Sequence, residues 1–346
     1  MDAYTAACLA EIAGAVADGS TPPASSVFFG GGTPSLLPPE LLVSMLDAVP
    51  RRPGAEVTVE CNPDTVTAGS LRAYRRAGVN RLSFGVQSLA PHVLLALGRT
   101  HDPAAVRQAV VAAADADFSE YNVDLIFGGA GESLDDWRAT IEGVFGLDPP
   151  PTHVSAYALT VEPGTALSDD PTRHPDDDDQ ADKYLVADQM LTDAGFEWYE
   201  ISNWARPGSE CRHNQLYWTQ GDYRGIGCAA HSHRAGRRWW NVRTPERYIT
   251  LVQAGEPVEA AGETLDQDTR RLEALQLALR TRRGVPAAAL PDDTGRLEGL
   301  VDASGDRVVL TPRGRLLANE VAAQLDPGGV GAGGVGAGGV GGSTNT

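Results

Sequence analysis

The feature that most constrains this chain is where its polar residues fall along a repeating pattern. Short apolar or β-branched runs recur about 25 to 40 residues apart, with amphipathic stretches between them, a βαβ rhythm that predicts a mostly parallel sheet. The predicted strands cover 26–29, 56–61, 81–86, 121–127, 153–160 and 197–202, and the helical patterns 39–48, 68–77, 103–114 and 134–145. Thr67 reads as the N-cap of one helix and Gly78 as its stop. Strand after strand then ends in a group able to hold a ligand: residues 30–33 (GGGT), Glu60 and Asn62, Gln87 and Ser88, Asp124, and Tyr157. Polar groups converging from the carboxyl ends of successive strands describe the top of a (βα) barrel. An open doubly wound sheet would gather its ligand groups at one switch point instead.

The 346 residues suffice for one large α/β domain and a smaller one. A net charge of −18 argues against wrapping a polyanion, which needs a positive face. Arg234, Arg237 and Arg238 form a local basic cluster, read as a solvated face, with a binding role for anionic groups as the alternative. No run approaches the roughly 20 apolar residues needed to cross a membrane. The N-terminus is acidic where a secretory signal is basic, so a cytoplasmic protein is expected. The cysteines at 8, 61, 211 and 228 have neither disulfide-framework nor metal-cluster spacing.

Beyond the barrel pattern, the acid run 176–179 predicts a solvated helix N-terminus, with the helix itself over 181–194. After residue 255 the pattern predicts a helix over 272–282, a hairpin of 297–298 with 305–310, and a helix from 311 to 324 with Pro312 in its first turn. Helix, hairpin and helix together suggest a small α+β winged-helix-like domain. Residues 327–342 are low-complexity and predict a flexible tail. The domain expectation is therefore 1–205 for the barrel, 206–255 for a connecting segment, 256–325 for the accessory domain and 326–346 for a disordered tail.

Each motif has a plain reading beside the functional one. Three glycines after a strand let backbone N–H groups approach a ligand, and they also suit a tight βα turn. The loop lacks the GxGxxG spacing and no Walker lysine follows, so a dinucleotide fold and a P-loop both lose support. A carboxylate such as Glu60 at a strand end must be exposed, or paired with a partner or a ligand. Gln87, Arg99 and Asp124 follow the same logic. Singly each suits a structural role; together an amide, a guanidinium and a carboxylate at a barrel mouth suit a zwitterionic, sugar-bearing ligand.

GGGTPS, ECNP, GVQS, LGRTH and NVDLIFG, in this order, resemble the oxygen-independent coproporphyrinogen III oxidase family of radical-SAM proteins. HNQLYW at 213–218 resembles the signature of that family's haem-chaperone branch. The resemblance runs from residue 1 to about 325 and implies a partial (βα)6 radical-SAM-type barrel with its first strand missing. It further implies that Gly31, Gly32 and Thr33 contact the methionine part of S-adenosylmethionine, with Glu60, Gln87, Arg99 and Asp124 holding the rest. His213 becomes the candidate haem contact, since imidazole can ligate haem iron and aromatics can stack on a porphyrin. A hydrogen-bonded core histidine is the plain alternative. His231 and His233 are weaker candidates, and Cys228 reads as structural.

One departure stands out. The family's CxxxCxxC motif, which binds a [4Fe–4S] cluster, is absent, and Cys8 has no partners three and six residues away. The start of this chain corresponds to the helix after the motif-bearing strand. The cluster is therefore expected only in a longer native protein, with Met1 a misassigned internal start and a real truncation as the alternative. No metal ligand set is expected in this chain. The functional expectation is a haem chaperone that delivers haem to recipient haem proteins, membrane-bound ones included, without nucleic acid. A coproporphyrinogen-decarboxylating enzyme is the second reading, and a degenerate barrel kept as a binding module the third.

Overall fold

The computed structural model describes residues 1–19, 21–99, 102–165, 167–291 and 293–326. The expected tail at 327–342, and Thr100 and His101 of LGRTH, lie outside the described residues. The chain divides into two compact units, Met1–His213 and Asn214–Thr346.

The first unit opens with α1 (Asp2–Ala17) and then alternates β1 (Ala24–Phe29), α2 (Pro39–Ala48), β2 (Arg51–Cys61), α3 (Ala68–Ala77) and β3 (Arg81–Gln87). It continues through α4 (Pro91–Ala96), α5 (Pro103–Ala114), β4 (Tyr121–Phe127), α6 (Leu134–Phe145), β5 (His153–Ala158), α7 (Asp177–Asp193), β6 (Glu197–Glu200) and β7 (Asn203–Ala205). The seven strands form one sheet in the order β1-β2-β3-β4-β5-β7-β6. The first five are parallel and sequential. β7 pairs antiparallel with both β5 and β6. A sheet that adds each strand beside the last has no switch point; it curls into a partial barrel, as its strand-end pattern predicts.

Alternation along the strands separates two faces. Val57 and Val59, Leu82 and Phe84, Val123 and Leu125, and Val154 are at most 2 % exposed and form the apolar layer against the helices. The opposite face carries Glu56, Thr58 and Glu60 on β2, Arg81 and Ser83 on β3, Asn122 and Asp124 on β4, and His153 and Ser155 on β5. The inside of the curl is therefore polar, and several of its groups hydrogen-bond to one another, Ser83, Asn122, Asp124, His153 and Ser155 among them. Helix ends follow local chemistry: Thr67 and Ser70 form a capping box, as do Ser133 and Asp136, and Gly78 closes α3 at φ 98°.

Several boundaries differ from expectation: β2 starts at Arg51 instead of 56, β5 ends at Ala158 instead of 160, and the helix expected over 272–282 is Gln267–Leu279. α7 starts at Asp177, ahead of the expected 181, because Asp176 caps it by accepting the Asp179 N–H at 2.9 Å. Asp179 is also not merely solvated: its Oδ2 lies 2.6 Å from Lys183 Nζ. The strand expected over 197–202 divides into β6 and β7, which reverse on each other around 201–202.

The second unit follows α8 (Arg212–Trp218), whose residues span the division. It holds β8 (His231–Arg234), β9 (Arg237–Asn241), α9 (Pro245–Ala254), β10 (Glu259–Thr264) and α10 (Gln267–Leu279). The antiparallel sheet β10-β9-β8 is absent from the sequence expectation. Its signal is a two-residue hairpin turn, Ala235 at φ 51° and Gly236 at φ 88°, hidden inside what reads as a basic cluster. The cluster is an ion-paired surface: Arg237 meets Glu259 at 2.6 Å, and Arg238 meets Glu263 at 2.9 Å and Glu273 at 3.1 Å.

The unit ends with β11 (Val285–Pro286), β12 (Val301–Asp302), β13 (Arg307–Leu310), α11 (Pro312–Leu316) and α12 (Ala318–Ala322). The hairpin strand is 301–302 instead of 297–298, since Leu297 is buried in a short 3-10 turn. The last helix breaks at Leu317. A Cβ at Gly314 would stand 1.8 Å from the Leu300 carbonyl, so that backbone contact sets the path of the break. Among the described residues no helix is long and apolar enough to cross a membrane.

Candidate functional site

A cavity of about 500 Å³ opens at the carboxyl ends of β1–β5. Gly32, Thr33, Glu60, Asn62, Gln87, Arg99, Asp124 and Tyr157 all line it, with Ser83 and Gly85 beneath. Separate stretches of sequence thus meet in one place because the strands lie side by side in sequence order. Gly31 is not in the wall; its N–H donates to Glu60 Oε2 at 3.0 Å, so the glycine loop is tied to β2 by the same carboxylate that faces the cavity.

Gln87 sits in the left-handed region at φ 65°, where the β3–β4 register slips between Gly85 and Gln87. A bulge that places a non-glycine residue there is strain of the kind kept at binding sites. Its amide lies so close to Gly85 that a Cβ there would be 3.0 Å from Gln87 Nε2.

Asp124 is held from below. Ser83 Oγ donates to its Oδ2 at 2.7 Å and Asn122 Nδ2 to its Oδ1 at 2.8 Å. Asn122 Nδ2 also donates to Ser83 Oγ at 2.7 Å. The Asn122 amide oxygen is left as an acceptor, which requires His153 Nδ1 to carry the proton it shares across 2.7 Å. His153 Nε2 then accepts from Tyr199 OH at 2.8 Å. Every donor in this buried chain points toward Asp124. Burial nevertheless raises the Asp124 carboxyl above its ordinary range, opposed by the Ser83 and Asn122 bonds. Glu60 is raised as well, first by burial and further by Asp124, against the Gly31 bond.

The sequence reading missed Ser83, Asn122 and His153. Their signal was the parity of 83, 122 and 153 with the inward-facing residues of each strand, which marks them as inward once the register is known.

Two raised carboxylates and one exposed arginine form an anionic cavity that suits a ligand with more positive than negative charge. S-adenosylmethionine has a sulfonium, an ammonium and a carboxylate, so the donor set fits it. A cation beside Glu60 favours its ionised form, and binding therefore releases protons. Affinity for S-adenosylmethionine should rise as pH is raised through and above the ordinary carboxylate range, by at most about tenfold per unit per carboxylate. Calorimetric titration across that range checks the sign; affinity that falls with pH contradicts the assignment.

A [4Fe–4S] cluster does not fit the residues present. Among the described residues no group of three or more His, Cys, Asp or Glu side chains could hold a metal ion. Cys8, Cys61 and Cys211 are buried and Cys228 is half-buried. Anaerobic reconstitution with iron and sulfide should leave this chain without cluster absorbance; three to four irons per chain with a cluster spectrum would contradict that reading.

His213 stands apart from the cavity wall. Its ring stacks on Phe28, with centroids 5.1 Å apart and planes at 14°, and Nδ1 lies 2.9 Å from Ser26 Oγ. Glu56, only 5 % exposed, accepts the N–H groups of Arg212 at 3.0 Å and His213 at 2.9 Å, and the Cys211 thiol at 3.4 Å. Burial lowers the His213 imidazole below its usual range, with Glu56 opposing. Residues 211–213 are thus docked on the inner face of β1 and β2. His233 is buried, with Nδ1 3.0 Å from the Gly221 carbonyl and Nε2 accepting the Gly236 N–H at 3.2 Å. His231 is exposed and stacks on Trp240.

Comparison with known proteins agrees with this architecture. The radical SAM superfamily signature matches residues 9–144, and that superfamily implies S-adenosylmethionine and an iron–sulfur cluster. Heme chaperone HemW of Mycobacterium tuberculosis is 43 % identical over 341 residues, covering 94 % of this chain and 86 % of that protein. Heme chaperone HemW of Escherichia coli is 35 % identical over 313 residues, covering 86 % and 82 %. The solved coproporphyrinogen III oxidase HemN of Escherichia coli superposes with a TM-score of 0.79 at 22 % identity over 93 % of this chain and 82 % of that one, which shows a shared fold. With its singly wound half-barrel and length-spanning identity to these relatives, the chain belongs to the HemW family of radical SAM proteins.

Proposed function

We propose that this protein is a haem chaperone: it binds haem and hands it to recipient haem proteins, while the barrel cavity takes S-adenosylmethionine. The observation that carries the reading is identity of 43 % to a relative named as a heme chaperone, sustained over 94 % of the chain. The oxidase likeness rests on a 22 % match and argues for fold only.

In the cavity, Glu60 and Asp124 would face the cofactor's cationic groups, Arg99 its carboxylate, and Gln87 and Thr33 its polar edges. Gly31 and Gly32 would keep the backbone close. The chain's own residues would orient the cofactor and neutralise its charge.

The test is haem transfer. Haem-loaded protein mixed with an apo haem acceptor such as apomyoglobin should lose its Soret band while the holo-acceptor spectrum grows. Failure to bind or release haem, with decarboxylation of coproporphyrinogen III instead, would overturn the chaperone reading in favour of the oxidase.

A further inference from the structure

Asn122 can serve Asp124 in two ways that differ by a half-turn of its amide. With the NH2 group turned toward Asp124 it donates, which suits a carboxylate. With the oxygen turned there it accepts, and Asp124 must then keep a proton to give. The structure holds the first arrangement: Asn122 Nδ2 donates to Asp124 Oδ1 at 2.8 Å and to Ser83 Oγ at 2.7 Å, and Ser83 Oγ donates to Asp124 Oδ2 at 2.7 Å. Asn122 is 6 % exposed, so bulk water does not make this choice.

The far side of the amide makes it. Asn122 Oδ1 lies 2.7 Å from His153 Nδ1 and 3.2 Å from Ser155 Oγ. Ser155 has one proton, and a nearer acceptor for it in Asn203 Oδ1 at 2.9 Å, whose own amide nitrogen is committed to Glu200 Oε2 at 2.6 Å. His153 is therefore the donor that fixes Asn122. Its ring is held neutral by burial and by the charge of Arg81, so it carries a single proton. Tyr199 OH, donating to Nε2 at 2.8 Å, leaves that proton on Nδ1. The reversed chain closes too: Nε2–H to Tyr199, the Asn122 NH2 group to Nδ1, and a protonated Asp124 to the amide oxygen. Two arrangements of one buried relay thus correspond to the two charge states of a cavity carboxyl.

We propose that His153 is a positioning residue of the cofactor cavity: through Asn122 it holds Asp124 as an acceptor, and a bound ligand that needs the carboxylate locks the ring in its Nδ1–H tautomer. The inference rests on the reading of the cavity as an S-adenosylmethionine site. Ligand hydroxyls and ligand cations both require an unprotonated Asp124, so either contact selects the same arrangement. The titratable and charged groups around the relay are Glu60 on β2, Arg81 on β3, Tyr157 on β5, and Tyr199 and Glu200 on β6, with Arg99 on the cavity wall. All of them persist when only His153 is changed, so their titration cancels in a ratio of affinities.

The test is calorimetric titration of S-adenosylmethionine into the whole chain, as wild type, His153→Leu and His153→Asn, at pH values stepped upward from the ordinary carboxylate range. Leucine removes the donor to Asn122, while asparagine replaces it with an amide N–H at the place of Nδ1. Without the donor the amide is free to turn its oxygen to Asp124, which raises that carboxyl further. His153→Leu should therefore bind about tenfold more weakly than wild type at the low end of the series and within about twofold of it at the high end. His153→Asn should stay within about threefold of wild type throughout. In the complex of wild type carrying nitrogen-15-labelled histidine, the resonances absent from His153→Asn should report the Nδ1–H tautomer. A His153→Leu deficit that stays constant with pH, no deficit at all, an asparagine variant as weak as the leucine one, or an Nε2–H tautomer in the complex overturns the proposal and leaves the cofactor site standing. A wild-type chain that takes up no S-adenosylmethionine overturns the cofactor reading, and this proposal with it.

Discussion

Replacing Lys183 with methionine is expected to cost the first unit about 3–5 kcal/mol, lowering its melting temperature on the order of 10 °C. Lys183 is fully buried, and its Nζ donates to the Glu132 carbonyl at 2.7 Å and to Asp179 Oδ2 at 2.6 Å, with Glu132 Oε2 at 3.3 Å. Glu132 Oε2 in turn accepts the Gly128 N–H at 2.7 Å. The ammonium therefore pins the loop that follows β4, just past the cavity wall at Ile126. Burial already raises the Glu132 carboxyl, and Lys183 acts against that rise. Without the lysine a carboxylate is left in a low-dielectric site with no compensating charge. Replacing both residues, Lys183→Met with Glu132→Leu, should recover part of the loss, because the uncompensated charge is removed while the buried Gly128 N–H loses its acceptor. Thermal melts of the three proteins check this; a Lys183→Met melt within about 1 kcal/mol of wild type would contradict it.

Glu60→Gln is the second large effect, and it falls on ligand binding more than on stability. The amide oxygen of glutamine can still accept the Gly31 N–H, so the glycine loop keeps its tie to β2. What disappears is one negative charge facing the cavity. A hydrogen bond or close contact to a charged partner contributes about 1.5–3 kcal/mol, so affinity for S-adenosylmethionine should fall roughly tenfold to a hundredfold. Because burial penalises the Glu60 charge in the free protein, the variant should melt at or slightly above the wild-type temperature. Equal affinity in the two proteins would remove Glu60 from the cofactor site.

Much of the barrel was legible from local pattern. The helices over 39–48, 68–77, 103–114 and 134–145 coincide with α2, α3, α5 and α6, since caps such as Thr67 and Ser133 mark their edges. Strand-end polar residues pointed to one cavity because sequential parallel strands bring like ends together. The second-unit sheet was not legible, as the apolar side chains of RRWWN sit among arginines that pair with glutamates about 25 residues later. The Lys183–Glu132 pair lay beyond local pattern too: the partners are 51 residues apart, and nothing near either marks it as buried. His213 reads as a ligand from its aromatic neighbours, yet its partners Ser26 and Phe28 come from a strand 187 and 185 residues earlier.

The claim on which the rest depends is that the inward-facing carboxylates make the barrel cavity a site for a cationic adenosyl cofactor. Equilibrium dialysis of the chain with labelled S-adenosylmethionine and with S-adenosylhomocysteine, its thioether lacking the sulfonium charge, tests it directly. Saturable binding of one S-adenosylmethionine per chain, tighter than the uncharged thioether, is the predicted result. No saturable binding, or a preference for the thioether, would contradict the account.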